Sequence, residues 1–395
     1  MRRMAIAAAG IAVAFTLAAC GGGGAGTGGG STPTTGATGG GATSAAPAGG
    51  NGALVGVAMP TQTSERWIND GKAVKDALEK DGYKVDLKYA NDDIPTQTQQ
   101  LDAMITEGAK LLIIASIDGT AITSQLESAA SKGIKVIAYD RLINGSPNVD
   151  FYTTFDNYAV GVAQANALLN GLGLVDKDGK AKADAPKGPF NIELFAGSPD
   201  DNNAKFFFNG GMDTLKPFID KGTLVVKSGQ TAFDQVAILR WSQDGAQQRM
   251  ENLLTSTYPA GTKLAGVLSP FDGLSRGIIT AVQNVGMGPT VAKGLPIVTG
   301  QDAEIASVKL INDDVQNSTI FKDTRTLAAQ AVKSAEAFLA GGTPEANDTK
   351  TYNNGVKVVP TYLLPVVTVY KADIQKELID SKYYTADEVA AGVAK

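Results

Sequence analysis

Polar and aromatic side chains recur in this chain just after short apolar runs. Arg66 and Trp67 follow Ala53–Met59, Asp118 follows Leu111–Ser116, and Asp140 and Arg141 follow Lys135–Tyr139. Further along, Asn202 lies in the stretch Gly197–Asn203, Trp241 in Leu239–Ser242, Asp272 in Ser269–Gly273, and Asp302 two residues after Gly300. These residue types suit a neutral polyol. A hydroxyl both donates and accepts, so carboxylates take its proton while Arg, Lys and Asn donate to its lone pairs, and charge-assisted bonds are the stronger ones. The apolar C–H faces of a pyranose would stack on Trp67 or Trp241.

What is missing narrows the chemistry further. The chain has no histidine and a single cysteine, Cys20. Ser-His-Asp and Cys-His hydrolases and nearly all catalytic zinc sites need imidazole, so those classes are excluded, and no cofactor or transition metal is expected. Asp118, Asp140, Asp272 and Asp302 would formally allow a two-carboxylate glycosidase, but binding a polyol accounts for all four, and no enzymatic activity is expected. Asp176-Lys177-Asp178-Gly179 resembles the start of a calcium loop, yet Lys180 takes the fifth position and no glutamate closes twelve residues. Each strand-end residue also has a plainer reading. Asp-rich turns cap helices, Asp140-Arg141 is a possible surface ion pair, and Trp67 shares a stripe with Gly71, Val74 and Leu78 that fits core as well as platform.

These residues need a scaffold to bring them together. Arg2 and Arg3, the apolar run Met4–Thr16 and Leu17-Ala18-Ala19-Cys20 read as a lipoprotein signal peptide over residues 1–20, with Cys20 as the lipid attachment site. The apolar run is shorter than the ~20 residues of a spanning helix. Residues 21–52, nearly all Gly, Ala, Ser, Thr and Pro, form a flexible tether. From Ala53 onward, strand-length runs (Ala53–Met59, Lys84–Ala90, Leu111–Ser116, Lys135–Tyr139) alternate with helical periods. A second series has strands at Phe190–Phe195, Leu224–Lys227, Leu264–Leu268 and Ile297–Gly300. The fold class is therefore α/β, with two doubly wound parallel-sheet lobes. Ligand sites in such sheets lie outside the carboxyl ends of the strands. The net charge of −5 and the lack of a basic stripe speak against nucleic acid.

From Val55 to about Lys382 the chain resembles the monosaccharide-binding proteins of type I periplasmic topology, in the xylose-binding and multiple-sugar-binding receptor group. The resemblance rests on the strings ERW at Glu65–Trp67, AYDRLIN at Ala138–Asn144, GSPDDNNA at Gly197–Ala204, TGQDAE at Thr299–Glu304, TIFKDTR at Thr319–Arg325 and NNGVKVVP at Asn353–Pro360. It implies ligand contacts from Arg66, Trp67, Asp140, Arg141, Asn202, Trp241, Asp302 and Lys322, to which the strand-end reading adds Asp118 and Asp272. Many relatives carry asparagine directly before the aspartate that matches Asp272, whereas this chain has Phe271. The resemblance also implies a three-crossing hinge near Thr154, Asp323 and Tyr362. This gives one lobe of residues 53–154 plus 323–361 and another of 155–322 plus 362–395.

The function expected from this reading is capture of a monosaccharide (xylose, glucose, galactose or arabinose type) outside the cytoplasm. The protein would act as a monomer anchored through Cys20 and deliver the sugar to an ABC permease. A sensory receptor that shows its sugar-bound form to a membrane signalling protein would use the same fold. A DNA-binding repressor would not, since no helix-turn-helix precedes the first strand.

Overall fold

The computed structural model describes residues 50–259 and 261–394. The expected signal peptide, Cys20 and most of the tether lie outside the described residues.

The chain alternates strand and helix from its first element. β1 (Leu54–Met59), α1 (Glu65–Lys80), β2 (Lys84–Tyr89), α2 (Ile94–Thr106), β3 (Leu111–Ile114), α3 (Thr123–Ser131), β4 (Lys135–Tyr139) and β5 (Phe151–Phe155) form the first series. Next come α4 (Asn157–Gly171), β6 (Phe190–Leu194), α5 (Asn202–Asp220), β7 (Leu224–Val226), the short α6 (Phe233–Val236), α7 (Gln243–Thr257), β8 (Gly266–Leu268), α8 (Asp272–Asn284), β9 (Ile297–Val298) and α9 (Ile305–Asn312). The last elements are β10 (Thr319–Phe321), α10 (Thr324–Leu339), β11 (Thr361–Leu364), β12 (Val367–Val369) and α11 (Ala386–Ala391).

Two parallel sheets result. The first has the order β11-β5-β4-β3-β1-β2 and the second β7-β6-β8-β9, while β10 and β12 pair antiparallel as a separate ribbon. In the first sheet, Val55 faces Val85 on one side and Leu111 on the other. Every residue of β3 is buried, as expected for a strand covered on both faces. Alternate residues serve opposite cores: Val55, Val57 and Met59 meet α1 and α10 through Val74, Leu78 and Leu327, whereas Ala58, Leu112 and Ile114 meet α2 and α3 through Met104 and Leu126. Each fully buried Val, Leu or Ile side chain is worth ~1.5–3 kcal/mol.

The second sheet is sandwiched between α4 and α5 on one face and α7 and α8 on the other. α4 and α5 cross at glycines, since a Cβ on Gly161 would lie 1.9 Å from the Phe207 carbonyl oxygen and one on Gly210 would lie 2.2 Å from that of Tyr158.

The chain crosses between the two halves three times: from β5 into α4, from β10 of the ribbon into α10, and from β11 into β12 of the ribbon, which a bridge between Gln301 and Ile320 joins to the side of the second sheet. Asp156 and Asp323 sit at the first two passages and cap the helices that follow, accepting from Ala159 N and Arg325 N. The third passage falls after Leu364, beyond Tyr362, because Thr361–Leu364 pairs along its length with β5.

Candidate functional site

The carboxyl ends of both sheets open onto one cavity of about 410 Å³. From the first sheet, α1 brings Arg66 and Trp67, and the end of β4 brings Asp140 and Arg141. From the second come Asp201, Asn203, Phe207, Trp241, Phe271 and Asp302, and Lys322 enters at the passage after β10. The rim is bridged where Ser64 Oγ donates to Glu304 Oε1 (2.7 Å) and Ile305 N donates to Glu65 Oε2 (3.1 Å).

Three cations and three carboxylates are buried together here. Arg66 Nη1 lies 2.9 Å from Asp140 Oδ2 and 3.6 Å from Asp302 Oδ1, and Lys322 Nζ lies 3.0 Å from Asp302 Oδ1 and 3.8 Å from Asp140 Oδ2. Arg141 Nε lies 3.0 Å from Asp201 Oδ2. Arg66 and Asp140 on one side thus pair with Asp302 and Lys322 on the other. Burial pushes the Asp140 carboxyl up, but Arg66, Lys322 and Arg141 outweigh it and hold the group below the usual carboxylate range. Burial raises Asp201, with Arg141 opposing. Burial favours neutral Arg66, yet Asp140, Asp70 and Asp302 keep its proton more tightly bound than usual. Charges buried this deeply cost several kcal/mol each in desolvation, which satisfied pairing must offset.

The backbone is bent to make this arrangement. Asp140, Arg240, Trp241, Asp302 and Ala303 have positive φ angles of 58°, 57°, 54°, 87° and 49°. Such positions cost ~1–3 kcal/mol for residues with a Cβ and persist only where the surroundings enforce them. At Asp140 the surroundings are clear, because its carbonyl oxygen accepts from Tyr152 Oη (2.6 Å), Thr154 Oγ1 (2.8 Å) and Asn203 Nδ2 (2.8 Å).

The aromatic walls differ in kind. Trp67, 4% exposed, belongs to the core beneath α1, and its ring lies under the guanidinium groups of Arg66 (4.4 Å) and Arg141 (5.0 Å). Trp241 is only half-buried, meets Phe207 and Phe271 edge-on at 6.3 and 6.0 Å, and donates from Nε1 to Asp201 Oδ2 (3.2 Å).

Arg66, Trp67, Asp140, Arg141, Trp241, Asp302 and Lys322 therefore share the cavity, and three other candidates do not. Asp118 and Asn202 line a separate groove with Thr120, Asn144, Asp200 and Lys205. Asp118 Oδ1 is taken by Thr120 N and Oγ1, both at 2.7 Å. Asn202 opens α5, and one residue of helical rotation brings Asn203 to the cavity instead. Asp272 is buried behind the wall, where Oδ1 accepts from Gln316 Nε2 (2.8 Å) and Oδ2 from Glu304 N (2.9 Å) and Thr319 Oγ1 (3.1 Å). Burial, then the Glu304 charge, lifts its carboxyl well above the usual range.

Asp92, Asp201, Asn203, Phe207 and Gln301 line the cavity without having been singled out from the sequence. Asp92 lies just past the end of β2. Phe207 falls four residues after Asn203, on the same face of α5.

Asp140 and Asp302 are both within ion-pair distance of Arg66 and Lys322. The incomplete calcium motif forms a turn in which Asp176 Oδ1 accepts from Asp178 N and Lys180 N, and no cluster of three metal-ligating side chains occurs among the described residues.

Residues 55–343 match the periplasmic binding protein domain. The chain belongs to this family. This periplasmic binding protein is 56% identical, over 85% of its length and 92% of the relative's, to the multiple sugar-binding periplasmic receptor ChvE of Rhizobium radiobacter. It is 34% identical to the D-xylose-binding periplasmic protein of Escherichia coli K12, over 85% and 92% of the two chains. Among solved structures it is similar to an ABC transporter solute binding protein from Clostridium phytofermentans with bound β-D-glucose. There the identity is 48%, the TM-score 0.79, and the coverage 85% of this chain and 99% of the other. Its two wound parallel sheets have the type I arrangement expected from the sequence, and like these relatives it is a binding protein and not an enzyme.

Proposed function

We propose that this periplasmic binding protein captures a monosaccharide of the xylose, glucose, galactose or arabinose type between its two sheets, outside the cytoplasm. It then passes the sugar to an ABC permease. The carrying observation is that paired cations and carboxylates from both sheets converge on one cavity that Trp241 borders with a half-buried ring. Sugar hydroxyls replace water among these groups, and a ring face lies on Trp241. The lobe with the six-stranded sheet and the lobe with the four-stranded sheet close over the ligand by turning at the three passages. The relatives that bind sugars support the ligand class.

The chain works as a monomer held at the membrane by lipid on Cys20. No helix among the described residues is long and apolar enough to cross a membrane.

Thermal-shift screening against a panel of monosaccharides tests this reading. Saturation at 100 times Kd stabilises by ~2.7 kcal/mol, so one or more of these sugars should raise the melting temperature measurably. A flat response to every sugar in the panel would remove the proposal.

A further inference from the structure

Beneath the cavity lies a buried carboxylate that no sugar would touch. Asp70 is fully buried on α1, one helical turn after Arg66, and does not line the cavity. Its Oδ2 pairs with Arg66 Nε (2.9 Å) and Nη2 (2.8 Å), and its Oδ1 accepts from the hydroxyl of Tyr139, which is also fully buried. Nε of Arg66 is thus bonded to Asp70, and Nη2, buried and without a hydrogen bond of its own, stands at ion-pair distance from the same carboxylate oxygen. Only Nη1 reaches forward to Asp140 and Asp302, and the flat face of the group rests on Trp67.

An arginine side chain has several rotatable bonds, and a guanidinium is recognised through the direction of its N–H bonds. Without an anchor, Arg66 would turn its fork toward the carboxylates at the front. With Asp70 behind it, one nitrogen is left to span the gap between the end of β4 and the Asp302 loop.

We propose that Asp70 is a positioning residue of the site, which orients Arg66 so that a single guanidinium nitrogen faces the ligand space between Asp140 and Asp302. This rests on the sugar-binding reading above and names what sets the geometry of that site. Burial pushes the Asp70 carboxyl up to about 6, with Arg66 and the Tyr139 hydroxyl opposing the rise. The other titratable groups that face it are Asp140 at the end of β4, Tyr89 on β2 and Tyr383 near the C-terminus. α10 adds apolar Leu327 and Ala328 to the same core. Losing the negative charge frees the inner edge of Arg66, so binding weakens as Asp70 takes up a proton.

The test is calorimetric titration of D-glucose and D-xylose into wild type, Asp70→Asn and Tyr139→Phe from about pH 5 to pH 8, with melting curves for each. Wild-type affinity should fall as the pH drops through about 6. Asp70→Asn should bind roughly tenfold or more weakly at neutral pH and lose this pH dependence. Tyr139→Phe, which removes one hydroxyl, should fold and show a smaller loss in the same direction, which keeps the test open if Asp70→Asn fails to fold. Asp70→Asn with wild-type affinity and pH profile, or a lowered melting temperature with unchanged affinity, would overturn the inference alone. If the wild type binds neither these two sugars nor galactose or arabinose, the sugar-binding reading fails first and this inference falls with it.

Discussion

Gly197 lies directly against the indole of Trp241: a Cβ at position 197 would sit 1.9 Å from Cη2 of the ring. Real Cβ atoms never come that close, so the ring occupies its place only because residue 197 has no side chain. Asp201 fixes the other end of the ring through Nε1, and Phe207 and Phe271 hold its edges. Gly197→Ala should therefore displace Trp241 and weaken sugar binding roughly tenfold, as Trp241→Ala should, because both remove the stacking face. Intrinsic fluorescence and calorimetry on the two variants check this. Wild-type affinity in both would show that the ring takes no part.

Asp272 should behave as a structural group. Removing it leaves Glu304 N, Thr319 Oγ1 and one of the two N–H groups of Gln316 Nε2, whose other donates to Ser318 O, without an acceptor in a dry interior. At ~1–3 kcal/mol for each stranded donor, Asp272→Ala should lose at least about 3 kcal/mol of stability in urea unfolding. A variant with wild-type stability and no sugar affinity would return Asp272 to the ligand site.

The charge network gives a pH signature. The native Asp140 carboxyl titrates below its ordinary value of about 3.9. Between those two values the unfolded chain binds more protons than the native one, so the contribution of Asp140 to stability rises with pH across that window. It is fully present above the window and lost as the pH falls through the native value. Wild type should therefore lose stability more steeply than Asp140→Asn as solutions are acidified below about pH 4. Parallel melting-temperature curves for the two proteins would show that Asp140 is not held ionised by its neighbours.

The anchor is tested separately. Cys20→Ser should appear in the soluble or secreted fraction while still binding sugar, since Cys20 lies far in sequence from every cavity residue. If the variant stays in the membrane fraction through a salt wash, lipid on Cys20 is not what holds the protein there.

Much of the fold was legible because strand-length apolar runs alternate with helical periods, and β4 falls on the expected Lys135–Tyr139. β5 carries no such signal. Its Thr153 and Thr154 are polar yet fully buried, and Thr154 is spent on the carbonyl of Asp140. The ribbon of β10 and β12 is too short to show a period. Asp140 and Arg141 reach the cavity because the end of β4 fixes where they emerge, whereas Asp118, also just past a strand, turns into the neighbouring groove. Asn202 and Asn203 were not separable, since one step around a helix decides which of two like residues faces inward. Asp272 resembles a ligand group in sequence because the donors that satisfy it come from residues some thirty to fifty positions later.

Calorimetric titration of the panel sugar with the largest thermal shift into wild type, Asp302→Ala and Asn202→Ala tests the central claim, that the ligand is held between the two sheets. Asp302→Ala removes a charge-assisted partner contributed by the second sheet and should cost ~1.5–3 kcal/mol, roughly ten- to a hundredfold in Kd. Asn202→Ala, in the neighbouring groove, should bind as wild type does. Wild-type affinity in Asp302→Ala, or a loss confined to Asn202→Ala, would contradict the account.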